Sequence, residues 1–359
     1  MTHIDDLFDI GTSTWLDDLS RERITSGNLT QVINEKSIVG VTTNPSIFAA
    51  AMSKGNAYDE QITALKEARS AVDDAVYAMS IDDVRDACDA FTGIYESTGG
   101  KDGRVSIEVD PRVSADYDAT LAQAKELWAK VDRPNVMIKI PATDESLPAI
   151  TDALAEGISV NVTLIFSVDR YLQVVKAFKE GIAKAAENGH DVSTIHSVAS
   201  FFVSRMDTEV DKRLEALGTD EALALRGKAG IANARLAYAE FLDAFPGDLP
   251  AGANPQRPLW ASTGVKNPEY PKAMYVTELA GPETVNTMPE GTIDAFLAEG
   301  GLHGDTLTGT ADDAREVFSQ LEKVGIDIAD VVKVLETEGV DKFVASWSEL
   351  LESMESRLR

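Results

Sequence analysis

The chain is poor in cysteine, histidine and positive charge, and each shortage removes a class of function. A single cysteine, Cys88, among 359 residues rules out an internal disulfide and suits a reducing, cytoplasmic setting. The four histidines, His3, His190, His196 and His303, form no HxH, HxxxH or HExxH pair, so no metal site of the usual zinc type is expected. Neither GxGxxG nor the GxxxxGKS/T loop occurs, which removes the common nucleotide cradles and leaves no cofactor to expect. No window is long and apolar enough to span a bilayer, and the N-terminus lacks a basic region followed by an apolar run. Lys and Arg number 33 against 60 Asp and Glu, a net charge of −27 that argues against nucleic acid and anionic membranes as partners. An anionic substrate would therefore need cations supplied locally by its own site.

What is present is ordinary globular material, 44% hydrophobic and 26% charged. Short strand-like runs alternate with longer helical ones. Strands are expected at 14–17, 38–42, 104–109, 136–140, 158–162, 196–199, 259–261 and 284–286. Helical spacing covers 29–36, 46–54, 58–79, 81–97, 115–132, 145–155, 168–187, 202–245, 293–299, 312–324 and 329–358. Ser80 and Asp83 are placed like an N-cap and its N3 acid. The Gly- and Pro-rich stretch 247–258 reads as a loop. About eight strand–helix units give the α/β class, and a closed (β/α)8 TIM barrel is the simplest architecture, with a doubly wound open sheet as runner-up. No polar linker divides residues 1–359, so one barrel domain is expected, with extra helices after strand two and a helical extension from about 310. The C-terminal helices would either cap the barrel or form a dimer interface, leaving monomer and homodimer both open.

The chemistry is concentrated in the alternation. In Val136–Pro141, Val136, Ile138 and Ile140 share one face while Met137 and Lys139 share the other. A lone ammonium in a buried strand is costly unless something uses or neutralises it; the ordinary explanation is a salt-bridged or snorkelling lysine. Other strands, however, carry polar groups on the matching face: Glu108 on strand three, Asn161 and Thr163 on strand five. Asp17 ends strand one, Thr42 and Asn44 strand two, Ser262 strand seven and Asn286 strand eight. Each alone reads as a capped strand end. Together, around one lysine and two carboxylates, they read as a site at the C-terminal rim, because burying each unpaired would cost about 1–3 kcal/mol. A lysine with carboxylates and no metal suits Schiff-base chemistry: a neutral amine attacks a ketone, and the resulting iminium is an electron sink for breaking the adjacent C–C bond. Glu108 and Asp17 are the available acid/base groups.

Four motifs in order carry a resemblance. Gly40–Phe48 (GVTTNPSIF) resembles the first transaldolase signature, and Val136–Thr143 (VMIKIPAT) is similar to that family's Schiff-base strand with Lys139 in the lysine position. Asn161–Ser167 (NVTLIFS) and Ser200–Arg205 (SFFVSR) resemble the two motifs that follow. The order holds from residue 14 to about 290, and the length resembles the longer bacterial branch. The resemblance implies a (β/α)8 barrel enzyme of the pentose phosphate pathway. It would move a dihydroxyacetone unit from sedoheptulose 7-phosphate to glyceraldehyde 3-phosphate, giving erythrose 4-phosphate and fructose 6-phosphate. It implies Lys139 as nucleophile, Glu108 as acid/base through a water held by Thr163, and Asp17 as the base for C–C cleavage. Asn44 and Asn161, with Ser200 assisting, would hydrogen-bond the dihydroxyacetone moiety, Thr42 and Phe202 would also bind substrate, and Arg205 and Ser262 would bind its phosphate.

One departure bears on the phosphate. Where many transaldolases have an A-S-F-R run, this chain reads Ala261-Ser262-Thr263-Gly264-Val265-Lys266, leaving Lys266 as the replacement cation. Three rivals stand beside the transferase: a fructose 6-phosphate aldolase-type lyase, a non-catalytic sugar-phosphate-binding barrel, and a metal-dependent aldolase, against which the histidine inventory weighs. The fructose 6-phosphate aldolases are shorter and lack the strand-three acid and the strand-six phenylalanine, so Glu108 and Phe202 favour the transferase.

Overall fold

The structure, a computed structural model, describes residues 3–359. Its eight strands are β1 Thr12–Leu16, β2 Gly40–Val41, β3 Arg104–Glu108, β4 Val136–Pro141, β5 Val160–Ile165, β6 Ser197–Phe202, β7 Arg257–Ala261 and β8 Thr284–Met288. They pair in parallel in chain order, and β8 returns to β1, so the sheet is a closed barrel rather than an open one. Among the described residues no helix is long and apolar enough to cross a membrane.

Parity organises two cores. Val105, Ile107, Val136, Ile138, Ile140, Val160 and Val162 face outward and are buried under the surrounding helices. Trp15, Met137, Val198, Leu259 and Val285 form a second cluster inside the barrel. Trp15 is the largest of these, and Gly40 makes room for it: a Cβ at Gly40 would lie 2.7 Å from the indole ring. A packed interior of this kind supports the rim instead of leaving a pore.

Several boundaries differ from the expectations. Ser80 does not begin a helix. It lies inside the helix Val72–Ala90, where its hydroxyl donates to Val76 O, and the chain breaks earlier, at Arg69, which adopts φ 55°. Asp83 is not an N3 acid either; it accepts from Arg21 and from the Tyr58 hydroxyl. The helical run 202–245 is three helices, Ser204–Leu217, Asp220–Leu223 and Ala229–Ala244. A helix, His3–Ile10, precedes β1. β5 and β6 both run later than expected, to Ile165 and Phe202.

The parity of β8 is the other correction. Asn286 points outward, where its amide donates to Tyr275 O, and Thr287 is the inward polar residue, hydrogen-bonded to Thr42. Three residues were too short a run for the phase of the alternation to be read.

Extra helices follow β2, namely Pro45–Met52, Asp59–Glu67, Val72–Ala90 and Thr92–Ser97. At the far end, Ala311–Lys323 and the 31-residue helix Ile328–Leu358 complete the chain. This last helix crosses the C-terminal mouth of the barrel. It packs on Pro45–Met52 and Val72–Ala90 at one side and on Ser204–Leu217 at the other. Leu335, Gly339, Phe343, Trp347, Leu350 and Met354 form its buried stripe, as the helical period requires. In this position the last helix covers the C-terminal mouth of the barrel.

Candidate active site

Strand register assembles the centre. Glu108 pairs with Lys139 across β3 and β4, and Lys139 with Asn161 across β4 and β5, so three inward side chains stand in one row. The Lys139 Nζ donates to Thr43 O at 2.9 Å and lies 3.6 Å from Glu108 Oε2. That second distance is an ion pair too long for a direct hydrogen bond. Among the described residues, both Glu108 carboxylate oxygens are buried without a hydrogen-bond partner, and so is Thr163 Oγ1. Thr163 stands two residues after Asn161 on β5, so its hydroxyl shares the inward face with Lys139 and Glu108.

The electrostatics favour proton transfer. Burial pushes Glu108 up to about 7; the Lys139 charge pulls it back and the Asp17 carboxylate adds to the rise. At neutral pH such a group both accepts and donates a proton. Asp17, half-buried at the end of β1, is also raised by burial, with Lys139 and the Thr42 hydrogen bond opposing. Thr42 is the hub on that side: its hydroxyl is 2.7 Å from Asp17 Oδ1 and 2.5 Å from Thr287 Oγ1.

Asn161 and Ser200 are coupled. The Ser200 hydroxyl donates to Asn161 Oδ1 at 2.6 Å, and Asn161 Nδ2 donates to Ser106 Oγ at 3.1 Å, which fixes the amide's orientation. Asn44 shapes the local backbone, because its Oδ1 caps the helix Pro45–Met52 by accepting from Ile47 N, with Pro45 at the first turn. Its NH2 is left for other partners. A bulge in β5 at Leu164, φ 60°, turns Leu164 and Phe166 into the mouth cluster while Ile165 stays in the outer core.

The cationic side of the mouth is Arg205. Its guanidinium lies 5.2 Å from the Phe202 ring centroid, and Nη1 is buried with no hydrogen-bond partner among the described residues. Burial pulls Arg205 below the ordinary arginine value, with only Glu338 opposing. Ser262 is near through Ser204: the two hydroxyls are 2.7 Å apart, and Ser204 N donates to Ser262 O. Ser262 takes φ 55°, a left-handed conformation at the end of β7. Lys266 is exposed on the following loop; its charge reaches Asp17, and among the described residues it forms no salt bridge.

Sequence reasoning missed Thr287, the Thr43 carbonyl and Phe343. Thr287 was legible from an alternation continued past Asn286. Phe343 was not, because on its own helix it has the spacing of any core residue. Its ring stands 5.9 Å from Lys139 Nζ and 5.9 Å from Arg205 Cζ.

A (β/α)8 barrel with a lysine beside two raised carboxylates at its C-terminal rim has the constitution that amine–carbonyl chemistry requires. Comparison with known proteins narrows this. Residues 14–354 match the family described as transaldolase/fructose-6-phosphate aldolase. A transaldolase of Mycolicibacterium paratuberculosis is 60% identical over 354 residues, covering 97% of this chain and 95% of its own length. One from Kocuria rhizophila is 57% identical over 357 residues, covering 98% and 97%. The chain belongs to the transaldolase/fructose-6-phosphate aldolase family.

Proposed function

We infer that the chain is a transaldolase, transferring a dihydroxyacetone unit from sedoheptulose 7-phosphate to glyceraldehyde 3-phosphate through a Lys139 Schiff base. The observation that carries the mechanism is the placement of Lys139 beside a Glu108 whose two oxygens are buried and unsatisfied. The Lys139 amine attacks the ketose C2, and Glu108, through a water shared with Thr163, supplies the proton with which the carbinolamine hydroxyl leaves. Asp17 then takes the proton of the C4 hydroxyl. The C3–C4 bond breaks, its electrons enter the iminium, and an aldose phosphate departs. The enamine left on Lys139 attacks the aldehyde of the acceptor, and the steps run in reverse.

Thr42, by holding Asp17, sets the base toward the hydroxyl. Asn161 and Ser200, with the Asn44 NH2, bind the hydroxyls of the three-carbon unit. Arg205, with Ser262 beside it, takes the phosphate: its unpartnered Nη1 and the aromatic ring of Phe202 favour a charged, bidentate ligand. Lys266 adds a second positive charge at the entrance. A local cation in this position answers the −27 net charge, which otherwise repels a sugar phosphate.

The test is chemical trapping. Borohydride with fructose 6-phosphate should leave a reduced adduct that peptide mass spectrometry maps to Lys139; an unmodified Lys139 would sink the Schiff-base reading. Fructose 6-phosphate turnover should also require an acceptor aldose phosphate. Rapid release of dihydroxyacetone without one would favour the aldolase-type lyase.

A further inference from the structure

Among the described residues, Phe343 is the one aromatic side chain whose face lies near both Lys139 and Arg205, and no step above uses it. It comes from the helix Ile328–Leu358, some two hundred residues after Lys139 in the chain. Its ring is 5% exposed, and the Lys139 and Arg205 charges lie at equal distance, 5.9 Å, from its centroid. A substrate joining Lys139 at its keto end to Arg205 at its phosphate end would have the ring within 5.9 Å of both anchoring charges.

The helix holds the ring there by contacts on both sides of the mouth. On one side Gly339, a turn before Phe343, packs against Phe166 so closely that a Cβ would lie 2.9 Å from the ring. Glycine in a helix interior is otherwise unfavourable, so the close approach accounts for it. Arg213 pairs with Asp330 at 2.8 Å, and Arg170 with Glu336 at 3.4 Å. On the other side Ser46 bonds Ser346 at 2.8 Å, and the Tyr77 and Trp347 rings are 5.0 Å apart. Arg357 donates to Met52 O at 2.8 Å.

We propose that Phe343 is a specificity-determining residue that shields the enamine on Lys139 from water, so that an acceptor aldehyde and not hydrolysis completes the reaction. The inference rests on the Schiff-base reading above. The competing step is simple. A proton adds to the enamine carbon and regenerates the iminium; water adds to C2 with loss of a proton. The C–N bond then breaks, giving dihydroxyacetone and the free Lys139 amine. Both routes consume the same enamine and both end with water adding to an iminium at C2; they part at the enamine carbon, which takes either the acceptor aldehyde or a proton. A phenyl ring 5.9 Å from the Lys139 Nζ has no proton to give the enamine carbon and offers no hydrogen bond to a water that would deliver one, while its face stabilises the cationic iminium.

The experiment measures the ratio of dihydroxyacetone released to dihydroxyacetone transferred, with fructose 6-phosphate as donor and erythrose 4-phosphate as acceptor. Phe343→Ala should raise that ratio about tenfold, the size expected from losing one aromatic shield over a cation. Phe343→Leu, which keeps apolar bulk and folds more readily, should raise it less. Gly339→Ala, which leaves the ring intact but pushes the helix off Phe166, should shift the ratio in the same direction. Borohydride trapping is run on each variant. A Lys139 adduct with an unchanged ratio in Phe343→Leu and Phe343→Ala overturns the role given to Phe343, as does an equal fall in release and transfer. Absence of the adduct in the unaltered protein overturns the Schiff-base reading instead.

Discussion

The two ends of the barrel are built from the same residue types with opposite bookkeeping of hydrogen bonds. At the N-terminal end, Asp102 accepts from Ser13 Oγ at 2.8 Å, Trp15 Nε1 at 2.9 Å and Arg257 Nη2 at 3.1 Å. Arg257 also donates to Ser13 Oγ and to Lys101 O. Arg104 bonds Gly100 O, Pro134 O and Ser159, with its Nη2 as the exception. Burial and then these two guanidiniums hold His196 down to about 3, so it stays neutral. At the C-terminal end, Glu108, Thr163 and Arg205 keep buried polar atoms that have no hydrogen-bond partner among the described residues. A saturated carboxylate ties strands together. An unsatisfied one such as Glu108, raised by burial, is what the proposed proton transfer would use.

Removing Lys139 is the strongest way to break the contrast. Lys139→Ala should lower kcat by about four orders of magnitude or more, as losing a nucleophile does, while the protein still folds. Residual activity near that of the unaltered chain would move the chemistry elsewhere. Next comes Asp102→Ala at the opposite end. It leaves Arg257 buried without its carboxylate and should cost about 3–5 kcal/mol in urea unfolding, with kcat per folded molecule unchanged.

Glu108→Gln should go the other way on stability. The folded pKa of about 7 lies above the ordinary glutamate value of 4.5, so the ionised form is the less stable one. Stability from this group is fully present below about pH 4.5 and is lost as pH rises through 7, a total of about 3 kcal/mol. The glutamine variant should lose that slope and be more stable at pH 8, while imine formation slows far more than phosphate binding weakens. Equal loss of imine formation and phosphate binding would give Glu108 a structural role. The smallest effect is expected at the packing between the two ends. Gly40→Ala drives a methyl into the Trp15 ring and should cost about 1–3 kcal/mol in thermal or urea unfolding, with KM little changed.

How much of this was legible in the sequence follows from the range of each interaction. The six-residue strand Val136–Pro141 and the helix Val168–Glu187 were read with their observed limits or within one residue, because each carries several periods of its own pattern. The inward row of Glu108, Lys139 and Asn161 followed from the same period of two. β8 was misphased at Asn286, where a three-residue window could not separate the two faces. Ser80 has the spacing of a capping box, yet tertiary packing buries it mid-helix beside Met79 and Val84, where burial outweighs the local preference.

The sequence by itself determined the parallel α/β class, the lysine with its two carboxylates, and the family, since all three are properties of short segments in a given order. Only the tertiary structure decided the distances that give those groups their chemistry. It left Glu108 3.6 Å from Lys139 with its oxygens unsatisfied, put Thr287 behind Thr42, and laid Phe343 over both cations. The physical reason is that proton affinity and access to water depend on what is packed within a few ångströms, and those neighbours come from segments far apart in the chain.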